Sequence, residues 1–310
     1  MARFALLCPG QGAQAVGMGK SFYDRYEETK ELYKRATRVL GFDITALCFE
    51  GPPEELTKTE KCQPALFVTS MAAYAAFARV APSVTPVGVA GLSLGELTSL
   101  TVAKALGFDE ALALVRARGE AMAECAAHSK GTMLAVVGLA AEAVQELCRK
   151  SGAWGANYNA PDQVVLSGTV EAIGRAEGLA KEAGAKRAIM LEVAGAFHSP
   201  LMQPAAEAFR KTLARVEIRP PLIPVVSNVT GAPMQDPADI RELLVKQIVS
   251  PVLWDASMRT LIRQGATHFL EFPPARVLTG LLRRIDPAVT GIAVDEPEDF
   301  DKLSVLTVPA

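Results

Sequence analysis

Short apolar runs alternate along the chain with longer segments that carry apolar residues at helical spacing. Such short runs are typical of buried strands, and the longer segments are typical of helices that pack on them. The clearest elements are predicted strands at residues 3–8, 87–90, 224–228 and 268–272 and predicted helices at residues 96–103 and 108–125. The alternation predicts an α/β fold built around a parallel sheet.

The middle of the chain has a different order of elements. Strand, helix, two strands, helix and strand are predicted at residues 132–137, 140–150, 154–158, 163–166, 170–183 and 187–193. This order, β-α-β-β-α-β, is the signature of a ferredoxin-like unit. We therefore predict a large α/β domain formed by residues 1–128 and 196–310, with an inserted ferredoxin-like domain at residues 129–195.

The composition limits the class of protein. With 310 residues, 50% of them hydrophobic, the chain can bury a large core. Its net charge of -2 gives no reason to expect a nucleic-acid or membrane-surface partner. No apolar run is long enough to span a bilayer, and the apolar stretch at residues 4–8 is too short for a secretion signal. We expect a cytoplasmic protein and, from its size and the lack of an obvious exposed apolar run, a monomer.

The cysteines form no metal-binding or disulfide pattern. There are five, an odd number, and no two of them form a Cys-x-x-Cys pair. The three histidines do not combine with them at the spacing of metal ligands. We therefore expect no disulfide framework, no metal and no cofactor.

The sequence Gly-x-Ser-x-Gly at residues 91–95 has the clearest chemical meaning. It places Ser93 between a predicted strand and a predicted helix, which is the setting of a nucleophile elbow. The main-chain N–H of Leu94 is then the natural first donor to an oxyanion, and the loop around Gln11 is the best candidate for the second. The alternative is an ordinary glycine-rich connection with a surface serine.

An activated serine needs a base, and the chain has three histidines. His128 lies near the predicted end of a helix, and His268 lies in a strand pattern, where a structural role is expected. His198 lies where the chain returns from the inserted domain to the large one, and domain junctions are preferred places for binding clefts. The alternative for His198 is a loop histidine without a partner.

Arg118 is the second chemical clue. It lies on one helical stripe with Ala111, Val115 and Met122, so its guanidinium is expected to be buried. A buried positive charge needs an anion. That anion is either an internal Asp or Glu, or the carboxylate of a substrate held by the two-pronged guanidinium.

Several motifs together resemble one known family. They are residues 9–14, 63–66, 91–95, 118–119, 156–159 and 195–199, and Gln247 with Pro251-Val252. In this order they resemble the malonyl-CoA:acyl carrier protein transacylases of type II fatty-acid synthesis, as far as about Asp295. The resemblance implies a large α/β-hydrolase-like domain with a ferredoxin-like insert.

The resemblance also implies a mechanism with two half-reactions. Ser93 attacks malonyl-CoA with His198 as its base, and the thiol of acyl carrier protein then takes the malonyl group, in ping-pong order. Malonyl-CoA and CoA are substrate and product. The roles implied for other residues are an oxyanion hole made by the N–H groups of Gln11 and Leu94, orientation of His198 by the carbonyl of Gln247, pairing of Arg118 with the malonyl carboxylate, exclusion of an α-methyl group by Phe197, and substrate contact by Met122.

Two positions depart from the family pattern. Leu92 lies where the family usually has histidine, and Pro273-Pro274-Ala275 replaces the usual Gly-Pro-Gly. Proline and alanine cannot adopt every backbone conformation open to glycine, so we expect a different local loop at the second position.

Three other functions remain open from the sequence. A serine esterase would use the order serine, acid, histidine, and either Asp109 or Asp162 fits that order, but nothing like His-Gly-Gly-Gly is present and Arg118 would have no purpose. A discrete acyltransferase of polyketide synthesis would share the catalytic residues and differ in its carrier protein. A binding module without activity would be expected to lack Ser93, His198 or Arg118.

Overall fold

The chain forms two β-sheets in a computed structural model that describes residues 3–82 and 84–303. The predicted outer limits of the large domain, residues 1 and 310, lie outside the described residues. The first sheet has six strands in the order β10-β9-β1-β2-β7-β8. Its strands are β1 (Phe4–Cys8), β2 (Gly88–Gly91), β7 (Val225–Val226), β8 (Pro233–Met234), β9 (His268–Glu271) and β10 (Thr290–Ala293).

The first sheet is parallel except at one edge. β1 lies between β2 and β9 and is parallel to both, whereas β8 pairs antiparallel with β7. The predicted α/β class is confirmed, and the sheet is mixed rather than wholly parallel. β7 is also shorter than predicted, because Ser227 accepts from Gly231 and donates to Ala232 in a turn that leads back into β8.

Both faces of this sheet are buried. Phe4, Leu6 and Cys8 contribute to one hydrophobic cluster, and Ala5 and Leu7 contribute to the other. A parallel sheet covered by helices on both faces is expected to be apolar on both, as β1 is.

The large domain contains helices α1 (Lys20–Arg25), α2 (Glu27–Leu40), α3 (Ile44–Glu50), α4 (Pro53–Leu56), α5 (Thr59–Val80), α6 (Gly95–Val102), α7 (Phe108–His128), α10 (Gln203–Leu213), α11 (Pro237–Gln247), α12 (Trp254–Arg263) and α13 (Val277–Ile285), with 3₁₀ helices at Pro200–Met202 and Pro297–Leu303.

The second sheet is antiparallel and has the order β4-β5-β3-β6. It comprises β3 (Gly131–Val137), β4 (Trp154–Ala160), β5 (Gln163–Thr169) and β6 (Arg187–Met190), with helices α8 (Ala141–Ser151) and α9 (Val170–Glu182). This strand order with two helices is that of a ferredoxin-like unit. β6 ends three residues before the predicted strand does, because Val193 donates to the carbonyl of Leu191 in a turn that leaves the sheet. The exact limits of the inserted domain stay a prediction.

The inserted sheet is joined to the large domain by a main-chain contact. Tyr158 of β4 donates to the carbonyl of Val252 at 2.9 Å, and Val252 donates to the carbonyl of Ala156 at 2.8 Å. This link holds β4 against the connection between α11 and α12. Among the described residues, none of the helices has the length and apolar character needed to cross a membrane.

The connection from β2 to α6 depends on two glycines. A Cβ atom on Gly91 would lie 1.9 Å from the backbone of Gly95, and a Cβ on Gly95 would lie 2.2 Å from the carbonyl oxygen of Cys8. Both neighbours are backbone atoms that cannot move aside without moving a strand or helix. The close approach holds the N-terminus of α6 directly against the carboxyl ends of β1 and β2.

Gly95→Ala should therefore destabilise the fold, whereas a matched glycine substitution should not. We expect Gly95→Ala to lower the free energy of unfolding by about 1–3 kcal/mol or more through overpacking. Gly178 lies inside α9, where an added Cβ would have no atom within 4 Å, so Gly178→Ala should raise that free energy by about 0.5–1 kcal/mol. Denaturant unfolding of both variants checks this, and equal effects would contradict the close approach.

Candidate active site

Ser93 lies at the turn between β2 and α6. Its φ of 53° is in the left-handed region, which a residue other than glycine rarely occupies and which the surrounding structure must hold in place. The side chain of Asn228 holds it here, because Asn228 Oδ1 accepts from the Ser93 N–H at 2.7 Å and Asn228 Nδ2 donates to the Gly91 carbonyl at 2.8 Å. The hydroxyl is thereby presented to the cavity between the two sheets.

His198 contacts the serine directly. Its Nε2 lies 2.7 Å from Ser93 Oγ, and its Nδ1 lies 2.8 Å from the main-chain carbonyl of Gln247. Since a carbonyl only accepts, Nδ1 carries the proton and Nε2 is left to accept one from the serine. His198 also has a positive φ, 56°, so both members of the pair have strained backbone conformations.

The surroundings of His198 keep it neutral. Burial and then the charge of Arg118 lower its pKa to about 4, although hydrogen bonds to the carbonyls of Gln247 and Ser250 act in the opposite direction. A neutral imidazole is the form that can take the serine proton. Its orienting partner is a carbonyl oxygen, so the arrangement works without the carboxylate of a Ser-His-Asp triad.

Arg118 is buried in the same cluster, with 2% of its surface exposed. Nη1 donates to Gln63 Oε1 at 2.8 Å, while Nη2 donates to Ser93 Oγ at 3.0 Å and to Gln247 Oε1 at 2.9 Å. Burial lowers its pKa to about 10, and the charge of Glu96 acts in the opposite direction. The guanidinium is therefore charged at neutral pH, yet in the described part of the chain it forms no direct ion pair with an Asp or Glu.

Two main-chain N–H groups lie beside the serine without an acceptor. Gln11 and Leu94 both line the cavity, and neither N–H donates to any acceptor within residues 3–82 and 84–303. Leu94 is at the N-terminus of α6, where the helix dipole favours negative charge. The side chain of Gln11 is fixed by a 3.2 Å hydrogen bond to Thr59 Oγ1. These groups are suited to bind an oxyanion.

The cavity has a volume of about 270 Å³ and lies between the two domains. Phe197 and Met122 both line it, and Met122 Sδ accepts from Gln63 Nε2 at 3.6 Å. Part of the wall is apolar. It is formed by Leu92, Val277 and Leu281, so the first departure from the family pattern places an aliphatic side chain in the wall.

The second departure lies outside the cavity wall. Ser70 Oγ donates to the carbonyl of Pro273 at 2.9 Å, and the N–H of Ala275 donates to Asp295 Oδ1 at 2.7 Å. These bonds anchor the Pro273-Pro274-Ala275 segment just before α13, the helix that supplies Val277 and Leu281. The segment therefore affects the site through the position of α13.

The structure adds groups that the sequence pattern did not single out. Asn228 holds the elbow, Gln63 holds Arg118, and Glu96 is a buried carboxylate beside them. The side chain of Gln247 also binds Arg118, in addition to the expected role of its carbonyl. Gln63 stands in a motif noted for the family resemblance, but Asn228 comes from a strand end far away in the sequence.

The other two histidines lie away from the cavity. His128 is exposed and contacts the carbonyl of Glu124, and His268 contacts Thr267.

Known proteins of one enzyme family are similar to this chain over most of its length. The model of the acyl transferase domain family matches residues 5–289. The malonyl CoA-acyl carrier protein transacylase of Bacillus subtilis is 43% identical over 306 residues, 97% of this chain and 96% of that protein. The crystal structure of an acyl carrier protein S-malonyltransferase from Vibrio cholerae has a TM-score of 0.93 at 38% identity and covers 98% of this chain and 100% of its own.

A third relative is bound to a partner. It is a structure described as a type II polyketide-synthase acyl-carrier protein in complex with its malonyl-transacylase, with a TM-score of 0.93 at 36% identity, covering 97% of this chain and 98% of that one. The family match spans most of the chain, and the similarity at 43% identity spans nearly all of it. This chain therefore belongs to the acyl transferase domain family.

Proposed function

We propose that this enzyme transfers the malonyl group from malonyl-CoA to the phosphopantetheine thiol of acyl carrier protein, through a malonyl ester of Ser93, and so supplies fatty-acid synthesis. The observation that carries this proposal is the buried guanidinium of Arg118, which lies 3.0 Å from the nucleophilic oxygen of a serine-histidine pair. A fixed positive charge beside the nucleophile selects an acyl group that has a carboxylate of its own.

The first half-reaction forms the ester. His198 Nε2 takes the proton of Ser93 Oγ as that oxygen attacks the thioester carbonyl. The carbonyl oxygen becomes negatively charged and accepts hydrogen bonds from the main-chain N–H groups of Gln11 and Leu94. Collapse breaks the carbon–sulfur bond, and the sulfur leaves as CoA with the proton held by His198.

The second half-reaction reverses these steps with a different thiol. The thiol of the carrier protein gives its proton to His198, attacks the ester carbonyl and displaces Ser93, which recovers the proton. Each half-reaction needs one proton acceptor that then becomes a donor. The lowered pKa of His198 suits this cycle because the resting histidine is neutral.

The two pocket walls fit a malonyl group. Arg118 can pair with the free carboxylate through both prongs of the guanidinium, in place of its present contact with the serine hydroxyl. Phe197 is 6% exposed and lines the same cavity, where its ring would crowd an α-methyl group such as that of methylmalonyl. Every group that we assign to the reaction comes from one chain, so a monomer is sufficient.

A serine esterase is not favoured. An esterase of the Ser-Asp-His kind would hold its histidine with a carboxylate, whereas His198 Nδ1 contacts the carbonyl of Gln247. Hydrolysis of a neutral ester would also leave the buried charge of Arg118 without a function.

Brief mixing with malonyl-CoA, without carrier protein, should give a protein heavier by one malonyl group. Intact-protein mass spectrometry should show this adduct on the wild type and not on Ser93→Ala. Adding holo acyl carrier protein should discharge it, with carriers of fatty-acid and of polyketide synthesis compared in parallel. Release of CoA without an adduct would point to hydrolysis instead.

Arg118→Ala should separate malonyl from acetyl transfer. Loss of a charge-assisted carboxylate pair should cost about 3 kcal/mol of transition-state stabilisation with malonyl-CoA, roughly 10²-fold in kcat/KM, and should spare acetyl-CoA. Arg116 on the same helix, which is partly exposed and bound to Glu120, provides the control variant Arg116→Ala. Equal losses with both substrates would make Arg118 a structural residue.

A further inference from the structure

Glu96 is a buried carboxylate that the reaction as described does not use. It lies in the first turn of α6, three residues after Ser93, and none of its surface is exposed. An acidic residue in the first turn of a helix is normally stabilised by the helix dipole while solvated. A fully buried carboxylate is costly unless polar partners compensate for the lost water.

Both oxygens of Glu96 have such partners. Oε1 accepts from the main-chain N–H of Asn228 at 2.8 Å, and Oε2 accepts from Gln247 Nε2. Asn228 is the residue that holds the elbow, and Gln247 is the residue that contacts both His198 and Arg118. Glu96 therefore touches the supports of all three reacting groups without touching the cavity.

The contacts of the Gln247 amide allow one orientation only. Its Nε2 faces three acceptors, which are Glu96 Oε2, the Ser93 carbonyl at 2.9 Å and Asn228 Oδ1 at 3.3 Å. Its Oε1 faces a donor, Arg118 Nη2, at 2.9 Å. A flipped amide would place oxygen against oxygen on one side and N–H against N–H on the other. An ionised Glu96 only accepts, so it enforces the orientation seen.

This arrangement also explains how Arg118 stays available. Glu96 lies on the other side of the Gln247 amide, and its charge helps to keep Arg118 protonated without a direct ion pair. A carboxylate in direct contact would compete with the carboxylate of the substrate. Because the Gln247 amide separates Glu96 from Arg118, the charge of Glu96 compensates the guanidinium without occupying the N–H groups that would bind the carboxylate of the substrate.

We propose that Glu96 is a positioning residue whose ionised carboxylate orients the Gln247 amide and thereby holds Arg118 for the free carboxylate of the substrate. This inference rests on the proposed malonyl transfer. It assigns Glu96 no contact with the substrate, so its removal acts through Gln247 and Arg118.

The proposal gives the enzyme a specific dependence on pH. Burial raises the pKa of Glu96 to about 7, while hydrogen bonds from Asn228, Gln247 and Ser227 and the charge of Arg118 act in the opposite direction. As the pH falls through that value, Glu96 gains a proton and loses acceptor capacity toward Gln247. His198, with a pKa of about 4, is neutral throughout this range, and Cys8, which lies against α6 with a pKa near 12, does not titrate there.

The experiment measures kcat/KM for malonyl-CoA and acetyl-CoA between pH 5 and 8. In the wild type the malonyl-to-acetyl ratio should fall as the pH falls through about 7. The carboxyl group of the substrate does not cause this change, because such groups titrate near pH 4, roughly three units lower. Glu96→Gln should have a ratio lower on the order of 10²-fold at pH 8, as for a misplaced binding group, and no longer dependent on pH.

Two further variants make the result specific. Glu271→Gln removes another buried carboxylate, which accepts from the N–H groups of Leu278 and Thr279 in α13, and should leave the pH dependence of the ratio unchanged. Glu96→Asp keeps the charge and should restore part of the ratio lost in Glu96→Gln. In Glu96→Gln, the amide oxygen of the new side chain can still accept from the N–H of Asn228. This variant is therefore expected to fold, and thermal unfolding checks this.

A Glu96→Gln enzyme that loses malonyl and acetyl transfer equally would overturn the proposal. So would a Glu96→Gln enzyme whose ratio falls with pH as that of the wild type does. If the wild type forms no malonyl adduct at all, the proposed function fails first. If the adduct forms and Glu96→Gln behaves as the wild type, the function stands and the role of Glu96 fails.

Discussion

The active site depends on a positive charge held inside the protein. Arg118 is buried, and its hydrogen-bond partners in the described chain are neutral oxygen atoms of Gln63, Gln247 and Ser93. Burial and then this charge lower the pKa of His198, and the charge is compensated across Gln247 by Glu96. Serine, histidine, arginine and carboxylate therefore form one electrostatic unit, in which the state of each group depends on the others.

The geometry of this unit requires strained backbone conformations, which hydrogen bonds and close packing hold in place. Ser93 and His198 both have a positive φ, at 53° and 56°, and they meet although they are far apart in the sequence. The strain persists because Asn228 holds the backbone on both sides of the elbow and Gln247 holds the histidine ring. Gly91 and Gly95 permit the turn because no side chain would fit there.

The two domains contribute different parts of the site. The large domain supplies the nucleophile, the base and the buried arginine, while β3, β4 and β5 of the inserted sheet form a wall of the cavity. The main-chain bonds between Val252 and β4 hold that wall in place. Leu92, Val277 and Leu281 make part of the wall apolar, so the pocket of this chain combines a buried charge with aliphatic side chains.

The sequence by itself determined the order of elements in the inserted unit, the elbow around Ser93 and the burial of Arg118, because periodicity, glycine spacing and helical stripes are local properties. It predicted α/β architecture and a ferredoxin-like insert, but it placed the ends of β6 and β7 too late, since those ends depend on turns that compete with the sheet. Only the tertiary structure decided that Glu96, Asn228 and Gln247 share one buried network. A carboxylate in a helix turn and an amide at a strand end have the same local pattern whether buried or exposed, and only long-range packing removes the water and brings their partners together.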